Sequence, residues 1–164
     1  MGQAATMHAT NPSWPEPRLI LQSQLEDLTL LWPWVQSLAS RYSISAQTQF
    51  AIELCLEEAL SNVMRHGYGG QENQSIVVDC ALGAEELVFT IQDHAPHFDP
   101  LAPPATGPPP ATISPASASP APASIDEFQP GGQGIRLMRK FAGRLAWEPL
   151  PNGNRLTLAF ALPH

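Results

Sequence analysis

The stretch Glu57-Glu58-Ala59-Leu60-Ser61-Asn62-Val63-Met64-Arg65-His66-Gly67-Tyr68 decides how this chain folds and where its chemistry sits. Ile52, Cys55, Leu56, Ala59, Leu60 and Val63 recur at helical spacing and give one apolar stripe. Ser45 is the N-cap this helix needs, and Gly67, Gly69 and Gly70 stop it after about His66. Glu58, Asn62 and His66 follow at i, i+4 and i+8, forming a polar row beside the stripe. A carboxylate and an amide oxygen one turn apart can converge on a hydrated Mg²⁺ or on a reacting hydroxyl. The same spacing also describes an ordinary polar helix edge.

On the N-terminal side, Arg18 to Ser23 reads as a first strand. Leu25 to Tyr42 carries helical spacing, with Pro33 inside it to kink the helix or split it into a turn and a helix. On the C-terminal side, Ser75–Leu82 and Glu86–Asp93 are strands joined around Gly83-Ala84-Glu85. A third helix spans Gly134 to Ala142. Arg144 to Glu148 and Arg155 to Leu162 then flank the turn Pro151-Asn152-Gly153-Asn154. The order β-α-α-β-β-α-β-β predicts an α+β fold: a two-layer α/β sandwich with a mixed sheet and helices on one face.

Ten of the eighteen prolines fall between Pro100 and Pro130, among Ala, Ser, Thr and Gly. Strands lie on both sides of this segment. Residues 101–130 therefore read as a Pro/Ala-rich insert within one domain, 18–164, and not as a boundary between two. Residues 1–17 read as a disordered leader. The formal net charge is -7, Lys and Arg total eight, and none lies between Arg65 and Arg136. That composition argues against direct nucleic-acid binding, which needs a basic stripe. No run of about 18 apolar residues predicts a membrane span. Cys55 and Cys80, each among apolar residues, read as buried free thiols and fit a reducing, cytoplasmic setting.

Two further patches carry chemistry. Asp93-His94-Ala95-Pro96-His97-Phe98-Asp99-Pro100 follows the apolar strand Leu87–Ile91, and a carboxylate at a strand end can accept from the exocyclic amine of a base. A turn stabilised by Asp and Pro, or a metal site built on Asp93, His94 and His97, are the other readings. Gly131-Gly132-Gln133-Gly134-Ile135 leads directly into an amphipathic helix, where backbone N–H groups favour phosphates. A hinge for the preceding loop is the plainer reading of those glycines.

Taken in order, these patches resemble the Bergerat-fold (GHKL) ATPases, and among them the bacterial anti-sigma-factor serine/threonine kinases. Glu58-Ala59-Leu60-Ser61-Asn62 with His66-Gly67-Tyr68 is similar to their N-box. Phe98-Asp99-Pro100 after Asp93 is typical of one branch. Gly131-Gly132-Gln133-Gly134-Ile135 is similar to their second glycine box. The resemblance implies ATP and Mg²⁺ as ligands. Asn62 would hold the metal, with His66 in the same box, and Glu58 would be the general base toward a Ser or Thr hydroxyl. Asp93 would bind the adenine amine, with Ala95 in the position that follows it. Gly131, Gly132, Gly134 and Ile135 would close a lid on the phosphates, and Thr157 would support Asp93.

The implied partners are a sigma factor or another regulatory protein, and a small anti-anti-sigma protein as substrate; the family also forms homodimers. Three positions depart from the pattern. Ala95 replaces the glycine of Asp-x-Gly, Asp126-Glu127 stand where a basic lid residue is usual, and the proline-rich insert lengthens the lid. A non-catalytic nucleotide-binding module that grips a partner is the alternative these departures favour.

Overall fold

The computed structural model describes residues 17–102 and 133–162. The leader, most of the proline-rich insert, Gly131 and Gly132 lie outside them. Five strands form one sheet in the order β1-β2-β3-β5-β4. They are β1 (Arg18–Gln22), β2 (Ser75–Leu82), β3 (Glu86–Asp93), β4 (Arg144–Leu150) and β5 (Gly153–Ala161). The helices are α1 (Leu31–Tyr42), α2 (Ala46–Asn62) and α3 (Gln133–Phe141). The α+β, two-layer expectation agrees with this architecture.

The sheet is antiparallel at every pairing and not mixed. The connections explain the correction. β1 and β2 are joined by two successive helices, α1 and α2, which return the chain to the end of the sheet it left. Ser23 accordingly donates its amide to the Gln74 carbonyl at that end. The single-helix crossover from β3 through α3 to β4 would make a parallel pair. However, β5 lies between those strands and pairs antiparallel with both.

Strand periodicity builds the layer. Ile76, Val78 and Cys80 on β2 and Leu87, Phe89 and Ile91 on β3 are all fully buried against the helices. The alternate positions form the open face, where Arg18–Asp79 and Arg155–Glu148 pair across neighbouring strands and Arg144 reaches over β5 to Glu86. These pairs are largely solvated, so each contributes little and their role is to keep that face polar. From the helix side, Leu31, Val35, Leu38, Ile52, Leu56, Leu60 and Met138 close the core.

Pro33 does split the first helical stretch. Leu25–Leu30 is a 3₁₀ turn, and Pro33 falls in the first turn of α1, where no intrahelical N–H is needed. Ser45 caps α2 by accepting the Thr48 amide at 3.1 Å. At its other end α2 runs into a π turn, Val63–Gly67, closed by Tyr68 N–H donating to the Val63 carbonyl. Among the described residues, no helix is long and apolar enough to cross a membrane.

Candidate nucleotide site

An open pocket lies between α2, the end of β3, and β4–β5. Ala59, Asn62, Val63, Gly67, Asp93, Phe98, Pro100, Trp147, Asn154 and Leu156 line it. Its walls are mostly apolar with a few converging polar groups, the usual make-up of a small-molecule site.

Asp93 forms the polar floor and is 5% exposed. Its Oδ1 accepts from the Ala95 amide at 2.9 Å and from Asn154 Nδ2 at 2.8 Å. No donor among the described residues reaches Oδ2, which is left for a ligand. Burial pushes the Asp93 carboxyl above the ordinary carboxylate value; the Asn154 and Ala95 hydrogen bonds and the nearby His94 oppose that shift. Asn154 is the hub of the floor. Its Nδ2 also donates to the carbonyls of Ala95 and Pro96, and its Oδ1 accepts the Phe98 amide. Tyr68 adds a second clamp: its hydroxyl accepts the His94 amide at 2.8 Å and donates to the Ser75 carbonyl at 3.0 Å.

These contacts revise the expected support for Asp93. Thr157 pairs with Thr90 three rungs along the ladder from Asn154, on the open face of the sheet. Asp93 and Asn154 share the helix face, so Asn154 makes the contact expected of Thr157. The expected turn, Pro151-Asn152-Gly153-Asn154, is also tighter than its sequence suggests. Pro151 and Asn152 form it, Gly153 already pairs with Leu150, and Asn154 stands in the strand. Gly153 adopts φ 130°, and any Cβ there would collide with the Asp93 carbonyl. A side chain at 153 would displace the end of β3 that carries the floor.

The glycine-to-alanine departure fits without strain. Ala95 is buried, does not adopt a positive φ, and supplies the amide that holds Asp93. Gly67 leaves room for its methyl, which lies 3.2 Å from where a Gly67 Cβ would stand. His94 and His97 each place one ring nitrogen on a carbonyl at the β4–β5 connection, Asn152 and Leu150 respectively. Among the described residues, no group of three His, Cys, Asp or Glu side chains is placed to hold a metal ion. Cys55, whose thiol is pushed up to about 12 by burial and by the Glu58 charge, is inert.

Asn62 lines the pocket from α2, and Glu58 stands one helical turn before it, outside the lining; both are half-buried. Gly134, the second residue of α3, packs directly on Glu58, and a Cβ at 134 would run into the Glu58 carboxylate. Gly134 is thus the residue that lets α3 start against the α2 carboxylate. Ile135 turns partly into the core and does not line the pocket. The π turn breaks the expected row of Glu58, Asn62 and His66, because it holds more residues per turn than an α-helix. His66 is exposed and stacks on Phe98, with ring centroids 5.8 Å apart and planes at 30°. It therefore braces the pocket rim and is not part of its wall. Arg139 is committed to the Leu101 carbonyl at 3.1 Å.

A single amide oxygen at Asn62 is a sufficient protein ligand for nucleotide-bound Mg²⁺. That ion takes one or two protein oxygens and completes its shell with water and phosphate oxygens. The residues present therefore fit the metal.

Two of the pocket residues, Asn154 and Trp147, carried no role in the sequence reading. A signal existed for both. Asn154 shares the period-two phase of the inward Leu156 and Leu158, and Trp147 that of Leu145.

The model of the histidine kinase-like ATPase domain matches residues 21–160. The serine/threonine-protein kinase BtrW of Bordetella bronchiseptica is 32% identical over 125 residues, covering 76% of this chain and 79% of that protein. The solved RsbU and RsbW domains of Rv1364c from Mycobacterium tuberculosis align over 91% of this chain with a TM-score of 0.61. At 13% identity that likeness speaks for the fold alone, and this chain spans only 32% of the longer protein. The family match takes in the pocket, all three helices and nearly all of the sheet, and with the likeness to a serine/threonine-protein kinase it shows that the chain belongs to the histidine kinase-like ATPase domain family.

Proposed function

We propose that this domain binds ATP with Mg²⁺ and transfers the γ-phosphoryl group to a Ser or Thr hydroxyl of a small antagonist protein. It also sequesters a sigma factor or another regulatory protein, acting in the cytoplasm and without touching nucleic acid. The observation that carries this reading is one pocket lined by both a locked acceptor, Asp93, and Asn62, with Glu58 one helical turn before Asn62 on α2 and packed against Gly134. Asp93 Oδ2 accepts from the adenine amine. Asn62 supplies the protein oxygen to the metal, which when bound neutralises charge on the phosphates. Glu58 takes the hydroxyl proton as the new O–P bond forms and the bond to the ADP oxygen breaks. Gly131, Gly132 and Gly134 carry the phosphate-binding role that the family resemblance implies.

A non-catalytic module is the second reading, favoured by Asp126-Glu127 in the segment before the glycines. The two part in one assay. The protein is incubated with Mg-ATP and the candidate antagonist, and phosphoserine or phosphothreonine is sought by mass spectrometry. The kinase reading expects one modified hydroxyl residue. Tight partner binding without any transfer would establish the module instead.

A further inference from the structure

Among the described residues, one buried side-chain polar atom has no hydrogen-bond partner: the indole Nε1 of Trp147. Buried Trp N–H groups ordinarily find an acceptor, and each exception asks for a reason. Trp147 stands on β4 opposite Leu156, on the helix face of the sheet. That places it in the wall of the pocket whose floor is Asp93. The pocket thus offers two free groups of opposite kind. Asp93 presents an acceptor, its Oδ1 being held by Ala95 and Asn154 and its Oδ2 not. Trp147, in the same wall, carries a buried donor that no acceptor among the described residues reaches.

A carboxylate alone accepts from any amine-bearing heterocycle. An adenine ring complements both groups, because its exocyclic amine donates while its ring nitrogens accept. A guanine would set its O6 carbonyl, an acceptor, against the carboxylate if it entered in the same orientation.

We propose that Trp147 is a base-reading residue: its indole N–H donates to a ring nitrogen of the adenine whose amine is held by Asp93. This rests on the adenine-nucleotide reading above and adds a second determinant to it. The sequence carries only an inward Trp on a short strand there. The structure adds its orphaned donor in the same pocket wall as an acceptor.

The test is a titration of wild type and Trp147→Phe with ATP and with its 1-deaza, 3-deaza and 7-deaza analogues. Phe keeps an aromatic wall and removes the donor, and loss of ring volume weakens all four ligands alike. Wild type should bind one analogue about three- to tenfold more weakly than ATP through loss of that hydrogen bond. Trp147→Phe should lose that one discrimination and keep the rest of the profile. In the wild type, ATP should move the Trp147 indole N–H resonance downfield and the discriminated analogue should not, a readout that survives if the variant fails to fold. An unchanged analogue profile in Trp147→Phe, or an indole resonance indifferent to ATP, overturns the proposal and leaves the nucleotide reading standing. Failure of folded wild type to bind ATP overturns both.

Discussion

The two ends of the site are built differently. At the base end, Asp93 is almost wholly buried and one of its oxygens is tied twice. The Asn154 side chain makes four hydrogen bonds around it, and Tyr68 and Gly153 fix the backbone on either side. On α2, Asn62 in the pocket wall and Glu58 one turn before it are half-buried, and among the described residues no side-chain hydrogen bond engages either. Glu58 lies against the backbone of Gly134. On the proposed reading, the base meets fixed groups whose ordering cost is met during folding, which favours affinity. Glu58 and Asn62, proposed to meet the incoming hydroxyl and the metal, keep unused hydrogen-bonding capacity. Changes at the base end should therefore alter affinity, and changes at the α2 end should alter rate.

The largest expected effect tests the rate end. Glu58→Gln keeps size and hydrogen bonding but removes the base, so phosphotransfer should fall about 10²- to 10⁴-fold. ATP affinity should change little, as measured by calorimetry on the same protein. Glu57→Gln, one position away on another face of α2, should be nearly silent. Equal rates for wild type and Glu58→Gln would remove Glu58 from the mechanism and erase the proposed division.

Asp93→Asn tests the affinity end. Loss of a charge-assisted acceptor should weaken ATP binding on the order of ten- to a hundredfold. The raised Asp93 carboxyl sharpens this prediction. The folded protein holds the Asp93 proton to higher pH than the unfolded chain does. Stability therefore falls as pH rises from the ordinary value of 3.8 through the folded one, and stays at that lower level above it. At neutral pH, Asp93→Asn should melt at or above the wild-type temperature while binding ATP worse, an outcome a purely structural aspartate would not give. ATP binding to the wild type should weaken as pH falls through the raised Asp93 value, because only the ionised carboxylate is the strong acceptor.

The smallest effect is expected of Ala95→Gly. The Ala95 amide, not its methyl, holds Asp93, and its backbone needs no left-handed conformation. ATP affinity should stay within about threefold of wild type, equal or better, since removing the methyl only adds room. A large gain would mean that the methyl obstructs the base. A large loss would mean that its packing against Gly67 holds the floor together.

The contrast also governs what the sequence could reveal. Helical spacing and a strand end single out Glu58, Asn62 and Asp93 in the sequence, and the glycine box completes a familiar order, so these three stand as candidates. The β2–β3 hairpin was legible to the residue, since a turn with Gly83 separates two alternating runs. Asn154 was not, because Asn-Gly-Asn reads as a turn until Pro151 fixes that turn one step earlier. Thr157 was assigned to Asp93 without the strand phase that separates them. His66 left its expected row because nothing local announces a π turn after Asn62. The antiparallel sheet was hidden for a similar reason: a single-helix crossover suggests a parallel pair until β5 is seen to lie between its strands.

The central claim is that this pocket is an adenine-nucleotide site with Asp93 at its floor. Titrating ATP and GTP, each with Mg²⁺, into the folded wild-type protein in a calorimeter tests it most directly. The account predicts one site per chain for ATP and much weaker binding of GTP, whose O6 carbonyl would face the Asp93 carboxylate. A folded wild-type domain that takes up no ATP, or that binds GTP equally well, would contradict it.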